Sequence, residues 1–258
     1  MRAEELTAEF GIAGTLAFVE AEHGLVKAVI SLDGITGELY LHGAQLTAWR
    51  PPGERPVLFT SPKSLFASGK AIRGGIPIIF PWFGPNRHAR AAPQHGFART
   101  TPWHLDGVET AGCEALTLTL SLGDVGSPFW PEPFRAIYRA TFARTLSLCL
   151  AVQNRGSHPI TFEEALHSYF AVSDVTAVAI AGLAGTVYID KTEAGRRKPQ
   201  TAALVTIGAE TDRVYLDTPA RCVIEDDGWR RRIIIEKKAP RLLWCGTLGR
   251  TKDPRWPT

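Results

Sequence analysis

Apolar and small polar residues alternate in the most regular part of the chain. Leucine occupies every second position from 116 to 122, and Thr or Ser fills the positions between. The same two-residue period recurs from 146 to 152. A period of two is typical of a β-strand with one buried face, so both stretches are predicted to be half-buried strands.

Shorter apolar runs, separated by turn residues, predict further strands at 25–32, 57–59, 213–216 and 233–235. Asp226, Asp227 and Gly228 lie between two apolar runs and predict a hairpin, because Asp-Gly tolerates positive φ. Residues 2–10 fit a short helix, whereas 162–170 fit a helix and a strand almost equally well. Many short strands without alternating helices indicate an all-β fold, an antiparallel β-sandwich.

Glycine and proline are concentrated between residues 65 and 101, which predicts a long, ordered loop. Such loops on a rigid sheet scaffold commonly carry binding groups. A sandwich of 258 residues is commonly one domain, so we expect a single domain over 1–258.

Composition and charge exclude several classes of protein. A formal charge of +3 is too small to indicate a nucleic-acid partner. Four separated cysteines form no CxxC pair, which argues against a zinc or dithiol site. The N-terminus lacks the apolar core of a signal peptide, and no uncharged run is long enough to span a bilayer. A cytoplasmic protein without a membrane anchor is expected.

The common motifs for nucleotide binding, zinc proteases and α/β-hydrolases are missing. What remains is a set of polar residues in apolar or glycine-rich surroundings. These candidate site residues are Arg73, Gln94, His95, Arg99, His167 and Asp190.

Two blocks carry a specific resemblance: AIRGGIPIIFPWFG at 71–84 and QHGFAR at 94–99. Together with ALHSYF at 165–170, VYIDK at 187–191 and ETDRVYL at 210–216, they are similar to the hexose-6-phosphate mutarotases of the aldose 1-epimerase superfamily. The resemblance covers about the first 244 residues. It implies a galactose-mutarotase-like β-sandwich and the interconversion of α- and β-anomers of a hexose 6-phosphate.

The resemblance also implies a role for each candidate residue. Mutarotation needs one acid and one base, and His167 matches the family's acid. Arg73 and Arg99 match arginines that bind phosphate or sugar oxygens, and three further residues match positions that orient hydroxyls: Gln94, His95 and Asp190. No metal or other cofactor is required, and we expect a monomer whose only partner is its hexose 6-phosphate substrate.

Taken alone, several of these residues have a simpler interpretation. A histidine between apolar neighbours, such as His167, is more commonly a core or edge residue than a catalyst. Asp190 fits the end of a strand, and Arg87 and Arg90 fit solvated loop charges. Two alternative functions follow: a non-catalytic sugar-phosphate-binding protein and an epimerase of neutral aldoses, which the arginine-rich loop disfavours.

The family pattern is lost after Trp244. The family continues with Trp-Asn-Pro-Trp and then a segment containing the catalytic Glu, whereas this sequence has different residues at 245–258 and lacks the expected base. A frameshift is one hypothesis: GGA-ACC-CTT-GGN for residues 246–249, read two nucleotides later, encodes Asn-Pro-Trp. Loss of the base and of the last strands predicts impaired activity and stability.

Overall fold

The computed structural model describes residues 1–123, 125–218 and 221–238, and the backbone of 243–246. These residues form two compact units, one spanning 1–171 and one beginning at 172. Both consist of antiparallel strands, which confirms the predicted all-β class. The expectation of a single domain stays a prediction. No helix in the described ranges is both long and apolar enough to cross a bilayer.

The first unit starts with the predicted N-terminal helix, α1 (Ala3–Phe10), and contains ten strands. They are β1 (Leu16–Glu20), β2 (Val26–Leu32), β3 (Ile35–Tyr40), β4 (Gln45–Arg50), β5 (Ile78–Ile79), β6 (His104–Ala111), β7 (Ala115–Leu122), β8 (Phe134–Phe142), β9 (Leu146–Asn154) and β10 (Ala165–Leu166).

Two four-stranded sheets of this unit, β1-β2-β3-β4 and β6-β7-β8-β9, share one hydrophobic core. The alternating leucines of β7 are all buried in this core, as their period predicts. The sheets approach closely at Gly37, where an added Cβ would lie 2.4 Å from the Phe142 ring. This face-to-face packing is that of a β-sandwich.

The second unit contains two further four-stranded sheets, β14-β11-β16-β17 and β13-β12-β15-β18. Their strands are β11 (Val178–Ala181), β12 (Val187–Asp190), β13 (Arg196–Pro199), β14 (Leu204–Thr206), β15 (Asp212–Leu216), β16 (Arg221–Asp226), β17 (Arg231–Glu236) and β18 (Leu243–Gly246). Its core includes Tyr188, Val205, Tyr215 and Cys222, which come from both sheets.

Two sequence predictions need correction. Residues 57–59 form no strand; Leu58 makes only an isolated bridge to Phe170. The hairpin at 226–228 is present, but the positive φ falls on Arg230 (52°) and not on Gly228. Glycine is required at 228 for a different reason: an added Cβ would lie 2.4 Å from the Ser173 hydroxyl.

The predicted loop at 65–101 is largely irregular and contains only β5 and a 3₁₀ turn, Ala98–Thr100. Its return is fixed at Gly96, which has φ +71° and bridges Phe80. Backbone hydrogen bonds from Phe97 and Ala98 to the Phe80 carbonyl, 3.1 and 3.2 Å long, complete this contact. The loop is therefore an ordered part of the fold.

Gly96→Ala should destabilise the protein by about 2–5 kcal/mol. The left-handed conformation disfavours alanine, and its Cβ would lie 1.9 Å from the Phe80 carbonyl oxygen. Chemical denaturation of the full chain measures the change. Gly69→Ala is the matched control, because Gly69 has φ +72° but nothing within 4 Å of its Cβ position. It should cost only about 1 kcal/mol, and equal losses for both variants would contradict the steric explanation.

Candidate active site

Two short paired strands of the first unit position His167, one of the five candidate residues in that unit. Strand β10 pairs with β5, and the segment after β10 continues along the loop: the His167 amide donates to the Pro77 carbonyl at 3.0 Å, and the Tyr169 amide to Gly75 at 2.8 Å. Thus 162–170, whose pattern left helix and strand open, is not helical: it contains the short strand β10 and an isolated bridge at Phe170. Backbone pairing places His167 beside the segment that contains Arg73.

The His167 side chain is only partly buried and lies among other rings. Its imidazole is 4.7 Å from the Tyr169 ring, in an edge-to-face arrangement, and 6.3 Å from the His95 ring, which is nearly parallel at 29°. His167 therefore lies beside two polar rings and is not packed only against hydrocarbon. This environment is compatible with proton transfer at His167.

The His95 imidazole has a defined hydrogen-bonding orientation. The Gly84 amide donates to His95 Nδ1 at 3.0 Å, and the His95 amide donates to the Gly84 carbonyl at 2.7 Å. Because Nδ1 accepts this bond, the proton of the neutral ring is on Nε2, which is therefore a donor. His95 has φ +66°, in the left-handed region that residues other than glycine rarely adopt.

Arg73 and Arg99 lie within electrostatic range of each other and of Tyr169. Burial lowers the pKa of Arg99; the Tyr169 phenol opposes this shift and the charge of Arg73 adds to it. Arg99 Nη2 donates to the Gln94 carbonyl at 2.7 Å, whereas its buried Nε has no hydrogen-bond partner in the described part of the chain. An arginine stays protonated in proteins, so this site concentrates positive charge that an anion would stabilise.

The structure brings five of the six candidates into one unit: Arg73, Gln94, His95, Arg99 and His167. Gln94 is exposed, and its backbone carbonyl binds Arg99. The sequence alone assigned no role to Tyr169, whose ring contacts His167. Burial raises the pKa of Tyr169, and the charges of Arg99 and Arg73 oppose this shift. The position of Tyr169, two residues after His167, is the signal that predicts a shared face when such a segment is read as a strand.

Asp190, the sixth candidate, belongs to the second unit and ends β12. Its buried carboxylate accepts hydrogen bonds from the Thr192 amide (3.1 Å), the Thr192 hydroxyl (2.6 Å) and Lys198 Nζ (3.1 Å). The Thr192 hydroxyl, and then Lys198, hold the pKa of Asp190 below its usual range. These contacts are those of an N-cap residue of the 3₁₀ turn Lys191–Glu193 that follows β12, and a role in binding a sugar hydroxyl stays a prediction.

Asp190→Asn should destabilise the protein by about 1–3 kcal/mol at pH 7, because the charge-assisted bond to Lys198 is lost. The pKa of Asp190 is lowered by folding, so its contribution is complete well above the unfolded value of about 3.9. This contribution to stability is lost as pH falls through the pKa of Asp190 in the folded protein. Denaturation at pH 7 and pH 3 should therefore show a difference between variant and wild type that shrinks at pH 3.

Asp227→Asn, which removes an exposed carboxylate of the same unit, is the control for Asp190. It should leave stability nearly unchanged at both pH values. An Asp190→Asn penalty that is the same at pH 3 and pH 7 would show that the carboxylate charge is not the stabilising feature.

Arg87, which the sequence predicts to be a solvated loop charge, is close to Glu163. Glu163 accepts a hydrogen bond from the Phe83 amide at 2.8 Å and lies 3.7 Å from Arg87 Nη2. This ion pair is solvent-exposed, as expected of a loop charge. The divergent tail falls largely at 247–258, outside the described residues, as does any base within it.

Comparison with known proteins relates the chain, across both units, to aldose 1-epimerases. Residues 29–246 match the family model described as aldose 1-epimerase. A protein of Escherichia coli (strain K12) named "Putative glucose-6-phosphate 1-epimerase" is 36% identical over 221 residues, which cover 85% of this chain and 70% of that protein. A Cenchrus ciliaris protein with the same name is 32% identical and covers 85% of this chain and 69% of its own length.

Solved structures agree with this relationship. The crystal structure of a "putative mutarotase (YeaD)" from Salmonella typhimurium is 32% identical, with a TM-score of 0.81 over 87% of this chain and 74% of that one. A galactose mutarotase-like protein from Clostridium acetobutylicum has a TM-score of 0.69 at 13% identity, over 89% of this chain and 82% of its own. The second similarity concerns the fold, which is galactose-mutarotase-like as the sequence predicts.

Proposed function

The chain belongs to the aldose 1-epimerase family, and from this premise we propose that it interconverts the α- and β-anomers of a hexose 6-phosphate. In this reaction a base takes the proton of the anomeric hydroxyl while an acid protonates the ring oxygen. The bond between C1 and the ring oxygen breaks to give the open-chain aldehyde, and the same oxygen then attacks the other face of C1. We propose His167 as the acid, Arg73 and Arg99 as ligands of phosphate and sugar oxygens, and Gln94, His95 and Asp190 as ligands of hydroxyls.

One observation carries the proposal: a partly exposed imidazole shares an edge-to-face contact with Tyr169, which is also within range of two arginines. A partly exposed imidazole and two permanent cations are thus all close enough to Tyr169 to interact with it, which supports a role for the three residues in one site. A neutral sugar would leave the charge of Arg99 uncompensated, whereas a phosphate dianion would pair with it. The arrangement therefore favours a phosphosugar over a free aldose.

The His95 Nε2 donor adds a second polar contact near His167. A neutral imidazole in this tautomer donates to a hydroxyl oxygen, which suits a ligand that orients the sugar beside the acid. The base is expected from a C-terminal Glu in the family, and the proposal assigns no residue to it. Anomer exchange above the uncatalysed rate would imply that the protein supplies a base.

The test follows the anomer exchange of glucose 6-phosphate by NMR saturation transfer, with and without the protein. Exchange above the uncatalysed rate is the expected result, with glucose exchanged far more slowly. Faster exchange of glucose than of its phosphate would favour a neutral-aldose epimerase. Saturable binding of glucose 6-phosphate with no exchange would favour a non-catalytic binding protein and contradict the proposed reaction.

A further inference from the structure

A buried glutamine at the start of β4 supports the segment that contains Arg73. Gln45 is fully buried, and its Nε2 donates to the Gly74 carbonyl at 2.6 Å. Three residues earlier, His42 is also buried, and its Nε2 donates to the Lys70 carbonyl at 2.7 Å. Two interior side chains from one turn thus hold the backbone on both sides of Arg73.

The segment itself needs such support because two glycines follow Arg73. Gly74 has φ +105° and Gly75 has φ +62°, and glycine backbones rotate more freely than those of other residues. Neighbouring hydrogen bonds fix the ends: the Arg73 amide donates to Ser64 Oγ at 2.8 Å, and the Gly75 amide to the Phe59 carbonyl at 2.7 Å. The Arg73 carbonyl accepts a hydrogen bond from the Ser61 amide at 3.0 Å, and the Gln45 amide holds the next carbonyl, that of Gly74. The peptide between Gly74 and Gly75 is therefore bound at both its carbonyl and its N–H.

The other half of the Gln45 amide indicates that stability alone does not explain this residue. Its Oε1 is buried and has no hydrogen-bond partner within the described ranges. An unsatisfied buried acceptor is unfavourable, and leucine would occupy a similar volume without that cost. Glutamine at this position therefore costs free energy at Oε1 and provides one specific contact, to Gly74.

We propose that Gln45 is a positioning residue for phosphate recognition: by holding the Gly74 carbonyl it keeps the two-glycine segment after Arg73 in the conformation that leaves Arg73 near Arg99. Gln45 touches no substrate in this role. The proposal rests on the proposed function in that Arg73 is taken to bind the phosphate group. Its ligand class is a phosphate monoester dianion, which a correctly directed guanidinium binds through paired hydrogen bonds.

The experiment compares Gln45→Leu with wild type by calorimetric titration of glucose 6-phosphate and of inorganic phosphate. Gln45→Leu should weaken both affinities about 10-fold, because a small displacement of a binding group is enough for such a loss. The KM for glucose 6-phosphate should rise by the same factor, with kcat changed less than about 2-fold. Gln45→Met, which is unbranched like glutamine, is a second variant in case leucine does not fit.

A structural role is separated from a positioning role by combining each variant with Arg73→Ala. If Gln45 acts through Arg73, Gln45→Leu should cause no further loss of affinity in the Arg73→Ala background. A full 10-fold loss in that background, or unchanged affinity in the wild-type background, would overturn the proposal. Thr47→Val, a buried polar-to-apolar change two residues along β4, should leave affinity unchanged.

The outcomes also distinguish this proposal from the proposed function. If wild type binds glucose 6-phosphate but does not exchange its anomers, the reaction is wrong, and the loss of affinity in Gln45→Leu still supports the positioning role. If wild type binds neither glucose 6-phosphate nor inorganic phosphate, the positioning role fails as well.

Discussion

Replacing His167 with alanine should slow the anomer exchange of glucose 6-phosphate by about 10²- to 10⁴-fold, the usual contribution of a general acid or base. Alanine removes the proposed donor to the ring oxygen but retains the backbone bond from residue 167 to the Pro77 carbonyl. Binding should therefore persist. NMR saturation transfer gives the exchange rate, and calorimetric titration of the same sample gives the affinity.

His104→Ala is the matched control for this prediction. His104 is an exposed histidine on β6 whose Nδ1 lies 3.0 Å from Asp106, so its loss removes an imidazole of the same unit without reaching the site. This variant should exchange anomers at the wild-type rate. Equal rates for wild type and His167→Ala would exclude His167 as the acid, whereas a rate loss accompanied by unfolding would identify a structural residue.

The second large effect is expected at Arg99. Arg99→Ala should raise the KM for glucose 6-phosphate about 10²-fold, because hydrogen bonds to a charged group contribute about 1.5–3 kcal/mol each. Its effect on any exchange of free glucose should be much smaller. Arg99→Lys should not restore affinity, since an ammonium group cannot reproduce the planar, two-pronged geometry of a guanidinium. Steady-state exchange rates at varied concentrations of glucose 6-phosphate give the KM of each variant.

Arg139→Ala provides the control for charge. Arg139 lies on β8 and pairs with Glu109 at 3.1 Å, in a solvent-exposed ion pair. Removing it changes the net charge as Arg99→Ala does but leaves the candidate site intact. A similar increase in KM for both variants would mean that general electrostatic attraction, and not a specific phosphate contact, explains the effect.

His167 and Gln45 have different kinds of proposed role. His167 acts through its own ring, whereas Gln45 acts indirectly, by holding the backbone segment that contains Arg73. His167 could be identified from the sequence because it lies in a motif. Gln45 could not, because a glutamine in an apolar strand gives no local signal of the carbonyl, 29 positions away, to which it donates.

The all-β class, the regular strands and the candidate site residues that lie in motifs were predictable without a structure. A strand such as β7 is predictable because its buried face depends only on alternation along one segment. The irregularity of 65–101 is equally local, since glycine and proline restrict the backbone where they stand.

The pairing of distant segments and the contacts of the polar residues were not predictable from local patterns. Residues 162–170 form no helix because several of their amides bond to a loop about 90 positions earlier, an interaction that no local pattern contains. The same long-range pairing brings Tyr169 and His167 to the segment of Arg73, while Asp190 is engaged by Thr192 and Lys198. Hydrogen bonds between distant segments set these positions, because a buried backbone group must find a partner wherever the fold provides one.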